Sequence, residues 1–301
     1  MKKNILIIAY KYNDIFYSLN TEEYKNADKR TIILIKTKNV KNNKFPFLNK
    51  FDHIIELNYN NILTLSLEII FRIHLKNIDT VILSNPVLLI SQLLINKIQS
   101  PQIVLLEDGL MNYYNFIPSK SFKKKLMQKI FFISEQKILS LIHTTYLLDP
   151  SKAIFYFGKP QLLSLYRIDK INNNIIFING KSLFVGQNLY DYGTLSIEEY
   201  NKLVNYFIQK YKIDYYIPHI YSSSNENIKC NKIDLNKYGV TLEMLSSEFK
   251  FNLYSFSSSV LYSTKLINPS IKTHLLKNEK ISNPKLLSFL ESYCDDIYSY
   301  N

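Results

Sequence analysis

His219 closes the run Asp214-Tyr215-Tyr216-Ile217-Pro218-His219, and the residue types around it indicate where it stands. Ile213, Tyr215, Tyr216 and Ile217 carry strand-forming side chains, while Pro218 has no N–H to give a ladder, so a short strand ends there. A histidine at a strand's carboxyl end lies where open α/β sheets hold ligands. Its ordinary pKa of about 6.5 lets it give or take a proton near neutrality; the alternative is a histidine tied to a backbone carbonyl. Glu107-Asp108-Gly109 follows the apolar run Ile103 to Leu106. Adjacent carboxylates raise each other's proton affinity, which readies one as a general base, although a plain acidic turn has the same residues.

Two further polar clusters follow apolar runs. Gly186-Gln187-Asn188-Leu189-Tyr190-Asp191 separates a strand pattern from a helix pattern, which aims Asp191 at the same edge as His219. Ser257-Ser258-Ser259 precedes Val260 and Leu261; hydroxyls and free N–H groups at a helix start hold a phosphate, or one serine caps the helix and two are bystanders. Of the other histidines, His53, His74 and His143 lie in apolar strand or helix patterns and His274 in a late polar stretch.

The elements that must position these groups are legible as alternating patterns. Residues 4 to 9, 31 to 36, 53 to 57, 80 to 84 and 102 to 106 are Ile, Leu and Val runs of the kind buried on both faces of a parallel sheet. Asn61 to Leu75 repeats apolar residues at helical spacing, and Pro86 opens a second helix through Leu94. Asp149-Pro150 and the polar stretch 169 to 174 bracket a junction. Beyond it the alternation resumes with strands at 175 to 178 and 183 to 186, a helix from Ser196 to Tyr211 opened by the capping-box pair Ser196 and Glu199, and a strand at 251 to 256. The expected fold is α/β and GT-B, two Rossmann-like domains facing a cleft, divided as 1 to 155 and 156 to 301.

Composition limits the partners. At 301 residues with 47% hydrophobic side chains the chain can fill two cores. The net charge of +12 suits an anionic ligand, an anionic membrane surface or nucleic acid, and the lack of a zinc-finger, RNP or helix-turn-helix signature sets nucleic acid aside. Cys230 and Cys294 are too isolated for a disulfide framework or metal site. The apolar run after Met1 ends too early, at Lys11, for a signal peptide, and no run reaches a membrane span. The expected location is cytoplasmic, with peripheral contact to an anionic inner membrane and a homodimer both left open. The basic segment Ser119 to Ser140 reads either as a helix resting on such a surface or as a core helix with a solvated lysine face; its smooth continuation into Ile138 and Leu139 favours the second.

Taken in order, Glu107-Asp108-Gly109, Gly186-Gln187, Pro218-His219 and Ser257-Ser258-Ser259 resemble the motifs of the bacterial sialyltransferases. The resemblance is closest to the lipooligosaccharide sialyltransferases of glycosyltransferase family 52, with Pro-His here where related families have His-Pro. It implies a CMP-sialic acid donor, an inverting transfer to a terminal sugar such as galactose on a surface glycan, and His219 neutralising the leaving phosphate. It also implies a carboxylate base: Asp191, which shares its half of the chain with His219, is preferred, with Asp108 as the alternative. Gln187, Asn188, Tyr216, Ile217, Pro218 and Ser257 to Ser259 would then face the donor, Glu107 and Gly109 the acceptor side, and Tyr238 to Glu243 the nucleotide base. No Asp-x-Asp occurs, so no metal cofactor is expected.

Overall fold

The computed structural model describes residues 3–37, 45–59, 61–98, 101–113, 122–131, 133–165, 173–190, 193–219, 226–281 and 284–300. The chain divides into two compact units, Met1–Tyr166 and Arg167–Asn301. The break lies inside the stretch bracketed by Asp149 and Asn174, later than residue 155, because a strand at Lys159–Leu162 still pairs with the first sheet.

In the first unit the strands are β1 (Asn4–Ala9), β2 (Lys29–Thr37), β3 (His53–Tyr59), β4 (Thr80–Leu83), β5 (Gln102–Leu106), β6 (Ile142–Leu147) and β7 (Lys159–Leu162). They form one parallel sheet in the order β3-β2-β1-β4-β5-β6-β7. Helices α1 (Tyr12–Ser18), α2 (Glu22–Lys25), α3 (Ile62–Arg72), α4 (Leu89–Asn96), α5 (Phe122–Ile130) and α6 (Glu135–Ser140) connect them. The central strands carry unbroken apolar runs: Ile5, Leu6, Ile7 and Ile8 in β1 and Val81, Ile82 and Leu83 in β4 have almost no exposed surface. Helices cover both faces of such a sheet, which explains why these runs do not alternate with polar residues. The basic segment after Ser119 is two helices and not one: Ser134 accepts a hydrogen bond from Lys137 N and so starts α6 afresh.

The second unit repeats the plan with β8 (Ser182–Val185), α7 (Ile197–Tyr211), β9 (Tyr215–Ile217), β10 (Asn231–Lys232), α8 (Leu242–Ser246), β11 (Asn252–Ser255), α9 (Val260–Ile267), β12 (Lys272–Lys277), α10 (Pro284–Glu291) and β13 (Asp296–Ser299). Its sheet is also parallel, in the order β10-β9-β8-β11-β12-β13. Ser196 and Glu199 form the reciprocal capping box expected of them and fix the start of α7. The strand expected at 175 to 178 is instead a 3-10 helix, Asn173–Ile178. Ile175 and Ile178 are buried while Ile176 and Phe177 are exposed, a three-residue period that a strand cannot satisfy. His274 is a core residue of β12, stacked on Tyr254 at 4.3 Å, and not part of a polar stretch.

Candidate functional site

In both sheets the strand order reverses once, between β1 and β4 in the first unit and between β8 and β11 in the second. At such a reversal the two connecting chains leave in opposite directions and open a crevice at the strands' carboxyl ends. The polar motifs of each unit gather there.

In the first unit, β5 ends in Glu107-Asp108-Gly109, and the two acids are directed oppositely. Glu107 is buried; its Oε2 accepts from Tyr113 Oη at 2.5 Å and from Leu148 N at 2.6 Å, tying the end of β5 to the end of β6. It is thus a structural clamp and does not line the acceptor side. Asp108 stays partly exposed: its Oδ1 lies 2.6 Å from Lys11 Nζ, its Oδ2 accepts from Asn85 Nδ2 at 3.1 Å, and its backbone N–H donates to Asn112 Oδ1. Gly109 has φ +61°, which a residue without Cβ adopts at no steric cost. Lys11 is itself aimed. It is the residue before α1, and the Asp14 carboxylate on the first turn accepts from Tyr10 N and Lys11 N at 2.8 and 3.1 Å. Burial raises the Asp14 carboxyl pKa, against the pull of the Lys11 charge. Beside Asp108 opens a cavity of about 120 Å³ bounded by Asn85, Met111, Phe155, Tyr156 and Phe157. Asn112 fastens its aromatic wall, donating from Nδ2 to Phe155 O and accepting Ile154 N and Phe155 N on its own carbonyl.

In the second unit, Gly186 follows β8 and donates its N–H to Ile217 O, which sets the loop of Gln187 beside the end of β9. A Cβ on Gly186 would lie 2.2 Å from Tyr216 Oη, so the close approach of β8 to β9 depends on glycine. Gln187 spans to the turn after β11 with both ends of its amide: Nε2 donates to Ser257 Oγ at 3.2 Å and Oε1 accepts from Ser257 N at 2.9 Å. Ser257 therefore does not cap α9. Ser259 occupies the capping position without making a capping bond, and Ser258 Oγ accepts from Val260 N at 3.4 Å. The first N–H groups of this eight-residue helix are therefore not capped by Ser259. Asn188 Oδ1 is buried without a hydrogen-bond partner, an acceptor that a ligand's N–H or O–H would satisfy.

His219 follows Pro218 at the end of β9, as its sequence indicated, and burial lowers its pKa below the ordinary histidine value. Tyr216 and Ile217, expected to face the donor, are turned into the core: the Tyr216 hydroxyl bonds Tyr200 Oη at 3.0 Å, and Tyr200 Oη in turn accepts Gln187 N. Their contribution is to support the Gln187 loop. Tyr238 to Glu243 forms a turn and the start of α8, where Glu243 is buried and accepts from Ser263 Oγ at 3.0 Å. Asp191 lies outside the described residues.

Sequence reasoning missed Lys11, Asp14, Asn85 and Asn112. Lys11 was visible only as the charge that ends the first apolar run. Once β1 is placed centrally, the residues just beyond it and beyond β4 must line the crevice, and that ordering was the available signal.

No protein-family model matches this chain, and none of the curated proteins matches it in sequence. Solved structures do match in shape. An α/β-galactoside α-2,3-sialyltransferase from the luminous marine bacterium Photobacterium phosphoreum superposes with a TM-score of 0.57 at 13% identity, over 99% of this chain and 98% of that one. The UDP-GlcNAc 2-epimerase of Methanocaldococcus jannaschii gives 0.50 at 12% identity over 99% and 88%, and a spinosyn forosaminyltransferase 0.50 at 9% over 99% and 86%. The shared architecture is the α/β GT-B fold.

Proposed function

We propose that the chain is a glycosyltransferase that moves sialic acid from CMP-sialic acid to a terminal sugar, galactose by preference, of a surface glycan. The observation that carries this reading is that Asp108, Gln187, His219 and Ser257 to Ser259 each stand at the carboxyl end of a parallel strand of their own sheet, in the motif order of the bacterial sialyltransferases. The end-to-end likeness in shape to a sialyltransferase supports it.

The second unit would hold the donor. The α9 N-terminus, with Ser258 and Ser259, takes the phosphate, so charge on it is met by N–H groups and hydroxyls without a metal ion. Burial lowers the His219 pKa; a phosphate anion nearby favours its protonated form, which then neutralises the charge that develops on CMP as the bond breaks. The base is Asp191 by preference, with Asp108 in the first unit as the alternative. Lys11 and Asn85 occupy one lone pair on each Asp108 carboxylate oxygen, which orients that carboxylate and leaves further sites to accept an acceptor hydroxyl's proton. The aromatic wall of the adjoining cavity suits one face of a sugar ring. Attack by that hydroxyl, with loss of CMP from the opposite face, inverts the anomeric centre.

The test is transfer by His219→Ala, Asp108→Asn and Asp191→Asn. Losing the acid or the base lowers kcat by about 10²- to 10⁴-fold with donor affinity within a few-fold. If Asp191→Asn is the silent variant, the base is Asp108; if Asp108→Asn is silent, the base is Asp191. A melting temperature raised by CMP in preference to UDP and GDP supports the donor assignment, and stabilisation by UDP or GDP alone overturns it.

A further inference from the structure

We propose that α3 and α5 form a face on which this chain rests against an anionic lipid bilayer. The two helices flank α4 on one face of the first sheet, and their inner sides, Leu65 and Ile69 from α3 and Phe131 just beyond α5, join the same hydrophobic cluster as Ile90, Leu93 and Leu94 of α4. Both are firmly anchored. Lys97 Nζ donates to the Ile69 and Ile70 carbonyls at the end of α3. Gln128 of α5 donates to Gln92 Oε1 at 2.8 Å and to Glu135 Oε2 at 2.9 Å. The outward sides are therefore fixed, and they are apolar where a solvated helix would be polar. On α3, Leu63, Leu67 and Phe71 recur at every fourth residue and are 52%, 43% and 72% exposed. On α5, Leu126 and Ile130 are 48% and 53% exposed. Scattered exposed apolar residues need no explanation, whereas five on the outer sides of the two helices that flank α4 do.

Charge selects the occupant. Lys125 and Lys129 are exposed beside Leu126 and Ile130 on the outer arc of α5, and Arg72 and Lys76 are exposed at and just beyond the end of α3. The acid on α3, Glu68, is half-buried to one side of the apolar row. A second copy of the chain meeting this face by two-fold symmetry would bring one basic patch against another. An anionic headgroup layer instead pairs with the cations while the Leu, Ile and Phe side chains enter the acyl boundary, as interfacial helices do. The solvated-face reading of the basic segment holds for Lys125 and Lys129 and fails for Leu126 and Ile130.

The experiment is co-sedimentation of the full chain with vesicles of phosphatidylcholine alone and of phosphatidylcholine doped with phosphatidylglycerol, at low and high salt. The expected result is binding to the doped vesicles only, weakened by salt. Lys125→Gln with Lys129→Gln should weaken it about 25-fold, at roughly fivefold per cation, and Phe71→Ser should weaken it about tenfold or more. Each variant should melt as the parent does, because the positions are exposed. Failure to bind the doped vesicles, equal binding by Phe71→Ser, or a dimer in light scattering that Phe71→Ser dissociates each overturns the proposal, the last by assigning the face to self-association. None of these outcomes depends on transfer activity.

Discussion

Replacing Gly186 by alanine tests whether the second unit's site is built on contact between β8 and β9. The new Cβ would stand 2.2 Å from Tyr216 Oη and 2.7 Å from its Cζ, with Tyr200 Oη at 3.1 Å. Tyr216 cannot swing into solvent, because it is wholly buried with its ring against Phe184 at 5.9 Å and its hydroxyl bonded to Tyr200. Overpacking of this kind costs about 1 to 3 kcal/mol, and a displaced Tyr216–Tyr200 hydrogen bond adds about 1 kcal/mol. For a unit of about 135 residues, a loss of about 2 to 4 kcal/mol lowers the melting temperature by roughly 7 to 14 °C. Calorimetry on the full chain reads the shift of that unit's transition. Combining Gly186→Ala with Tyr216→Phe removes the 2.2 Å contact, so the double variant should lose at least about 1 kcal/mol less than the two single losses added together. A melting temperature within about 2 °C of the parent for Gly186→Ala, or strictly additive losses in the cycle, would refute the argument that glycine is required by Tyr216.

Three further outcomes are expected. Ser258→Ala and Ser259→Ala should raise the donor KM with little change in kcat, since a phosphate contact present in the ground state is uniform binding; unchanged KM in steady-state assays with both variants removes the serines from the donor site. Transfer assayed with EDTA should match transfer without it, and a loss restored by added divalent cation would refute the metal-free phosphate site. Stability should fall as pH drops from about 7.5 to 5.5, because burial holds His274 below its ordinary pKa despite Asp296 at 3.0 Å. The unfolded chain then takes up a proton near pH 6.5 that the folded chain resists until lower pH. His274→Phe keeps an aromatic ring against Tyr254 and should flatten this dependence in thermal melts; an unaltered pH profile would rule His274 out as its source.

By itself the sequence determined most of the local structure and the positions of the chemical groups along it. Runs such as Ile5 to Ala9 and Ile103 to Leu106 are legible because a strand stretch buried on both faces favours apolar residues. The ends were legible too: Pro218 stops β9 one residue before His219, Gly109 breaks the chain after Asp108, and Ser196 with Glu199 opens α7. Strands β6, β7, β12 and β13 escaped notice because Ile142 to Leu147, Lys159 to Leu162, Lys272 to Lys277 and Asp296 to Ser299 mix polar residues into their runs, and pairing alone makes them strands. Tertiary structure decided which groups meet. Lys11 and Asp108 are 97 residues apart in sequence, and Gln187 and Ser257 are 70 apart; each pair exists only because strand order brings the ends of β1 and β5, or of β8 and β11, to one edge. It also decided which of two neighbours faces inward. Glu107 and Asp108 are chemically alike, but successive side chains at a strand's end point to opposite sides, so one was buried against Tyr113 and the other was left for Lys11.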